Sequence, residues 1–319
     1  MYNIVVIGAG QLGSRHIQSI KSTRFQCRLF VVDSVKESLD KTKSIYDSTQ
    51  VETQILDVFY CQEMSTLPEV IDFLLISTGS RPRAAIFRTI TEQHVVKNVV
   101  FEKVLFQSER DYKEVDAILR KKNIRAWVNC PRRMYEGYKA LKPLFDGKVV
   151  NMTVNGGEWG MGCNSIHFLD VYSFLTGQYD YTVSTGAVDQ HIIDSKRAGY
   201  KEFTGTIRAI YSNGGTVVLN CSTNPIGHLV TIASNDSICC ISEIKKECWI
   251  KTAERDEVAP FPVPYQSQLT SIVLDNILEN GTCELATYEE SMKVHLPFIT
   301  GLIDFLNKIG NNTDNCPIT

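Results

Sequence analysis

Three groups of residues in this chain have types and spacings suited to chemistry. The first is Gly8-Ala9-Gly10-Gln11-Leu12-Gly13, a G-x-G-x-x-G run that follows the apolar stretch NIVVI and opens a helical pattern. Glycines in that order allow a tight strand-to-helix turn, a close approach of backbone to ligand, and packing of helix on strand. The N–H groups at the helix start, with its dipole, then hold a pyrophosphate. Asp33, twenty residues beyond Gly13 at the end of RLFVV, stands where a carboxylate accepts bonds from the adenosine ribose hydroxyls. An acid there repels a 2′-phosphate, and Ser34-Val35 brings no arginine, so the pattern favours NAD over NADP. Arg15 and His16, in the first turns of the helix, read as surface or capping groups. The second group is Lys103, just after the strand-like run NVVF and so at the carboxyl edge of a sheet, where ligands bind in open α/β architectures. The third is His167 with Asp170 one helical turn later on the same face, a spacing that lets a carboxylate orient an imidazole. His-x-x-Asp also suits a metal, but no third ligand accompanies it, and the expectation is no metal.

The elements that must position these groups follow from hydrophobic period. Strand-like runs at 3–7, 27–32, 73–76, 98–101 and 124–128, with a weaker one at 54–57, alternate with helical patterns at 12–23, 34–46, 83–92 and 108–121. Repeated β-α-β units with strands apolar on both faces predict a doubly wound parallel sheet, a Rossmann-type α/β domain over residues 1–125. From 126 to 319 the texture becomes α+β: helices at 135–144 and 164–175, then β-like stretches at 149–154, 204–211, 216–221, 228–233 and 238–241, and a closing helix at 289–309. This second domain is expected to hold a largely antiparallel open sheet and to end in a short polar tail, 310–319.

Bulk properties narrow the function classes. A chain of 319 residues suggests about two domains. Lys plus Arg at 33 against Asp plus Glu at 36 leaves a net charge of -3, with no basic cluster interleaved with aromatics, which argues against a nucleic-acid partner. The ten cysteines show no C-x-x-C spacing and read as reduced, buried thiols. The first residues run straight into a strand without a signal-like segment, and no apolar run approaches the roughly 18 residues a membrane helix needs, so the cytoplasm is expected.

Along nearly its whole length the sequence resembles the glucose-fructose oxidoreductase / inositol dehydrogenase / MocA-like family. Ile76-Ser77-Thr78-Gly79-Ser80-Arg81-Pro82-Arg83 is similar to the family's T-P-N-x-x-H segment lining the nicotinamide side, with Gly79 and Arg83 in place of its proline and histidine. Glu102-Lys103-Val104 resembles the E-K-P motif. Asn129-Cys130-Pro131-Arg132-Arg133 resembles the junction into the second domain, and 165–177 resembles the D-x-G-x-H-x-x-D helix with its following L-x-G. The resemblance implies that Gly8, Gly10, Gln11, Leu12, Gly13, Asp33, Thr78, Gly79, Glu102 and Lys103 bind the cofactor. It further implies that Lys103 polarises a substrate hydroxyl or carbonyl and that His167 is the acid/base, both in contact with substrate. Asp170 reads as orienting the imidazole or binding a sugar hydroxyl, Arg132 of the Arg132-Arg133 pair as a solvated face or a contact for an anionic substrate group, and Trp159 and Asn164 as further substrate contacts. Oxidising an alcohol requires a proton acceptor beside the hydroxyl, and histidine, or a lysine desolvated or near another cation, meets that need near neutral pH. The implied activity is NAD-dependent hydride transfer at a C-OH/C=O centre of a sugar, polyol or sugar derivative, nucleotide-linked and acidic sugars included. The implied assembly is a homodimer or homotetramer through the C-terminal sheet. Two departures stand out: Val104 replaces the proline that often brings a cis peptide, and Cys163 stands where an aspartate often assists the histidine, leaving Asn164 and Glu158 as the nearby polar groups. A dinucleotide-binding protein without turnover, or a reductase of a non-sugar substrate on the same fold, are the alternatives. The glycine-rich stretch 156–162 reads as a segment flexible enough to move over a substrate, with Trp159 as a stacking surface.

Overall fold

The computed structural model describes all 319 residues. The chain divides into two compact units, 1–105 with 113–129 and 264–288, and 106–112 with 130–263 and 289–319. The single boundary expected at 125/126 therefore lies instead at 129/130, and a later segment returns to the first unit. The physical reason is that residues 286–287 extend the first unit's sheet and the helix Gln266–Asn280 packs on its first helix.

In the first unit, β1 (Tyr2–Ile7), β2 (Cys27–Val32), β3 (Ile55–Cys61), β5 (Phe73–Ile76), β7 (Asn98–Glu102) and β8 (Arg125–Asn129) form one parallel sheet, with a short outlying pair β4 (Val70–Ile71) and β6 (Val95–Val96). The sheet order is β3-β2-β1-β5-β7-β8, closed at the far edge by the antiparallel strand Ala286–Thr287. Phe73–Ile76 and Asn98–Glu102 are buried at every residue, as strands covered on both faces must be. Helices α1 (Gln11–Ile20), α2 (Lys36–Ser48), α3 (Ser80–Gln93) and α4 (Glu109–Lys122) follow the strands. The weak strand expected at 54–57 is a full strand ending at Cys61, in register with β2 through Val32↔Cys61. Strand order reverses between β1 and β5, the topological switch point at whose carboxyl ends ligands bind. Gly8 follows one of these strands and Ser77-Thr78 the other.

In the second unit, α5 (Glu136–Phe145), β9 (Asn151–Gly157) and α6 (Met161–Thr176) precede β10 (Tyr181–Val188), the hairpin β11 (Ile193–Asp194) and β12 (Lys201–Glu202), and the strands β13 (Gly205–Tyr211), β14 (Thr216–Ser222), β15 (Gly227–Ala233), β16 (Ile238–Ser242), β17 (Glu247–Lys251) and β18 (Asp256–Pro260). Eight of these pair in the order β10-β13-β14-β9-β15-β16-β17-β18, antiparallel except for β9 with β14. One face carries the core, from Val217, Leu219, Met152 and Val154 across to Ile241 and Ile250. On the other face the register aligns Arg208, Val218, Thr153, Thr231, Cys240, Trp249 and Val258 in one row across the sheet, each partly or fully exposed. The tail is not a loose polar end: Cys316 and Ile318 are fully buried, and the Cys316 N–H donates to the Gln107 carbonyl at 2.8 Å. No helix is long and apolar enough to cross a membrane, and the cysteines are free thiols.

Candidate active site

The glycine loop occupies the turn from β1 into α1. Gly8 has φ +99°, a conformation that side chains rarely adopt, and a Cβ on Gly13 would lie 1.9 Å from the Gly8 carbonyl oxygen. A Cβ on Gly10 would meet nothing within 4 Å. The loop is braced from three sides. Ser77 Oγ donates to the Gly8 carbonyl at 2.7 Å, Thr42 Oγ1 donates to the Ala9 carbonyl at 2.9 Å, and Asp33 Oδ2 accepts the Ala9 N–H at 2.7 Å. The other Asp33 oxygen accepts the Val35 N–H at 2.9 Å, so Asp33 orders the loop itself, and its half-buried carboxylate keeps lone pairs for further donors. The α1 N-terminus has no side-chain cap and no acid in its first turn. Its first amides and the open side of Gly10 make a donor-rich cradle that fits a dinucleotide diphosphate, and the buried Thr78 hydroxyl beside Gly8 has no hydrogen-bond partner. Gln11 and Leu12 are the first residues of α1, and Gly79 is the N-cap of α3.

Lys103 leaves the sheet directly after Glu102, the last residue of β7, and the Lys103–Val104 peptide bond is cis although valine replaces proline. Glu102 is 2% exposed. Burial pushes its pKa up, but the hydrogen bond and charge of His16, the Asn129 amide and the Lys103 charge outweigh it and hold the carboxyl below its ordinary range. His16, read from sequence as a surface or capping group, is buried: its Nε2 lies 2.9 Å from Glu102 Oε1 and its Nδ1 2.8 Å from Thr270 Oγ1. The signal that could have found it is helical period, since Gly13, His16, Ile17 and Ile20 share the buried face of α1. Arg83 is also wholly buried, and its guanidinium donates to the carbonyls of Thr78, Val104 and Leu105.

In the second unit, His167 lies on α6 and is 8% exposed. The N-terminus of α6 is covered by Glu202, whose carboxylate accepts the Gly162 N–H at 2.6 Å and the Cys163 N–H at 3.2 Å, complementing the helix dipole. A cavity of about 320 Å³ opens beside it, lined among others by Glu158, Trp159, Cys163, Asn164, Lys196 and Thr204. Three sequence-derived roles change here. Asp170 is 1% exposed and holds Arg133 bidentately, at 3.0 and 2.7 Å, so the carboxylate expected beside the imidazole is instead the buried counter-ion of that guanidinium. Burial works against the Arg133 charge, but Asp170 outweighs it and raises the guanidinium pKa further. Arg132 is likewise matched, by Glu243, at 2.8 Å in both contacts, and is not a vacant anion-binding fork. Burial pushes the Glu243 carboxyl up, but Arg132 and His228 more than offset this and hold it well below the usual carboxylate range. Trp159 packs edge-to-face on Phe168 with its Nε1 donating to the Asn220 carbonyl at 2.9 Å, so only its rim reaches the cavity. Asn164 Nδ2 donates to the Trp159 carbonyl at 2.6 Å. The glycines at 156 and 157 serve close strand packing, not motion, because a Cβ on either would lie 1.9 Å from a backbone oxygen.

The fold and the glycine loop define a dinucleotide-binding domain of the kind used by oxidoreductases. Residues 2–130 match the model of the oxidoreductase family GFO_IDH_MocA, NAD-binding Rossmann fold. No curated protein matches the sequence. Solved structures share the fold over almost the whole chain. An oxidoreductase from Agrobacterium radiobacter in complex with NAD+, L-tartaric acid and magnesium superposes with a TM-score of 0.75 at 14% identity, covering 96% of this chain and 97% of that one. UDP-N-acetylglucosamine 3-dehydrogenase from Acidithiobacillus ferrooxidans gives 0.69 at 13% identity, over 95% and 97%. A dehydrogenase from Clostridium difficile gives 0.70 at 17% identity, over 95% and 99%.

Proposed function

We propose that the protein is an NAD-dependent oxidoreductase that moves hydride between the nicotinamide and a C-OH/C=O centre of a sugar, polyol or sugar derivative. The observation that carries the reading is the braced glycine loop at the switch point, with uncapped α1 amides and the open side of Gly10. The Gly8–Gly13 loop and α1 would hold the diphosphate, Asp33 the adenosine ribose, and Thr78, Gly79 and Lys103 the nicotinamide half, with the buried Glu102 carboxylate behind Lys103. A cofactor held there would supply the hydride acceptor or donor. Lys103 polarises the substrate oxygen and His167 holds or releases its proton, while Asn164 and the rim of Trp159 contact substrate. Asp33 favours NAD, since its charge, held by two backbone amides, repels a 2′-phosphate. Titration with NADH and NADPH, followed by a fluorescence screen of sugars, polyols and nucleotide-sugars for NAD reduction, tests this reading. NADH is expected to bind at least about tenfold tighter than NADPH, equivalent to roughly 1.4 kcal/mol. Tighter NADPH binding would overturn the Asp33 assignment, and dinucleotide binding with no turnover on any such compound would favour a protein that binds without reacting.

The partly exposed sheet row from Arg208 to Val258 supports a homodimer or homotetramer through that face, because Val218, Trp249 and Val258 place apolar surface beside threonines on an unbroken register. Thr231→Arg in the middle of the row is expected to yield monomers in light scattering, with unfolding temperature little changed. A wild-type protein that is already monomeric at micromolar concentration would refute the interface.

A further inference from the structure

Five buried or half-buried side chains of the first unit close a hydrogen-bonded ring. His16 of α1 meets Glu102 at the end of β7, and Glu102 Oε1 also accepts from the Asn129 amide at the end of β8. The same amide donates to Gln266 Oε1 at 2.9 Å, Gln266 Nε2 donates to Thr270 Oγ1 at 3.0 Å, and Thr270 Oγ1 returns to His16 Nδ1 at 2.8 Å. The ring joins the nucleotide-binding helix, two strand ends and the returning helix, and its one carboxylate belongs to the residue before Lys103. The residues after Lys103 are held independently. Arg83, from α3, donates to the Val104 and Leu105 carbonyls and ties them to the Thr78 carbonyl, at the dinucleotide side of the switch point. Val104 and Leu105 are themselves fully buried.

We propose that His16 and Arg83 are positioning residues that clamp the Lys103 backbone from its two flanks, His16 through the Glu102 carboxylate and Arg83 through the three carbonyls. The proposal rests on the reading of Lys103 as the substrate-polarising group. A planar guanidinium reaches three carbonyls at once, which an ammonium on a flexible stem does not, so Arg83→Lys cannot replace it. For His16 the decisive contact is the Nε2–H donated to Glu102. Glutamine reaches that carboxylate from the same Cα, while asparagine keeps a polar group near Thr270 but falls short of Glu102. A ring that served only to satisfy buried polar groups would tolerate the two amides alike.

The test compares His16→Asn, His16→Gln, Arg83→Met, Arg83→Lys and Lys103→Met in the full chain. Amide hydrogen exchange is read by mass spectrometry, and steady-state kinetics use NAD with whichever compound the sugar screen identifies. His16→Asn, Arg83→Met and Arg83→Lys are expected to speed exchange of the 103–105 amides about tenfold or more, with β1 and β2 unchanged and His16→Gln within about threefold of wild type. The same three variants lower kcat by about tenfold while the KM for NAD moves less than about threefold. Exchange that rises equally throughout the first unit, equal behaviour of His16→Asn and His16→Gln, or a loss confined to the KM for NAD overturns the clamp. Lys103→Met with wild-type turnover sinks the catalytic reading of Lys103 instead, and leaves the exchange result standing on its own.

Discussion

Lys103→Met is expected to cut substrate turnover by about two to three orders of magnitude, the range for losing a preorganised donor that polarises the reacting oxygen, while NADH still binds. Lys103 follows Glu102 at the carboxyl end of β7, where strands of this sheet present ligand-facing residues, and its charge is one of those that keep Glu102 ionised. Methionine keeps the length and apolar stem and removes only the ammonium, so the change isolates the donor. Arginine is no substitute, because a planar guanidinium on a longer stem does not place its donors where the compact ammonium does. The measurement pairs NADH fluorescence titration with turnover on the compound found by screening. Turnover within about threefold of wild type would remove Lys103 from the mechanism.

The second large effect separates two glycines of one loop. Gly13→Ala places a methyl 1.9 Å from the Gly8 carbonyl oxygen, a backbone atom that cannot rotate away, so α1 must move off β1. A cost of several kcal/mol, at or above the roughly 1–3 kcal/mol of ordinary overpacking, is expected, together with loss of NADH binding. Gly10→Ala meets nothing within 4 Å, so its unfolding temperature should match wild type. If the diphosphate runs over that open position, NADH affinity nevertheless falls by about tenfold or more, because the new methyl enters the space that phosphate oxygens need. Calorimetry and NADH titration on both variants read the contrast. A Gly10→Ala protein that binds NADH as wild type does would move the diphosphate elsewhere.

The first unit was the more legible half of this chain, for a physical reason. Its strands are apolar at nearly every position and its helices keep a 3.6-residue period, so each element declares itself locally, and only limits such as the far end of β3 at Cys61 were missed. The glycine loop is legible for the same reason, since its turn, its close approach and its helix start lie within six consecutive residues. What could not be read was pairing across long separations. His16 looked like a surface group because its partners Glu102 and Thr270 are 86 and 254 residues away. Asp170 looked available to an imidazole and Arg132 to a substrate because sequence shows a charge but not its counter-ion, here Arg133 and Glu243. Cys316 and Ile318 looked like a polar tail because two apolar residues among polar ones carry no period.

By itself, then, the sequence determined the order of elements, the parallel character of the first sheet and the dinucleotide loop, all set by local patterns of burial and backbone freedom. Only the tertiary structure decided that residues 264–288 belong with the first unit, that His16 and Arg83 flank Lys103, and that the second unit's buried charges are already matched. Those outcomes depend on which distant groups desolvate one another, and burying a charge without its partner is too costly for the fold to leave to chance.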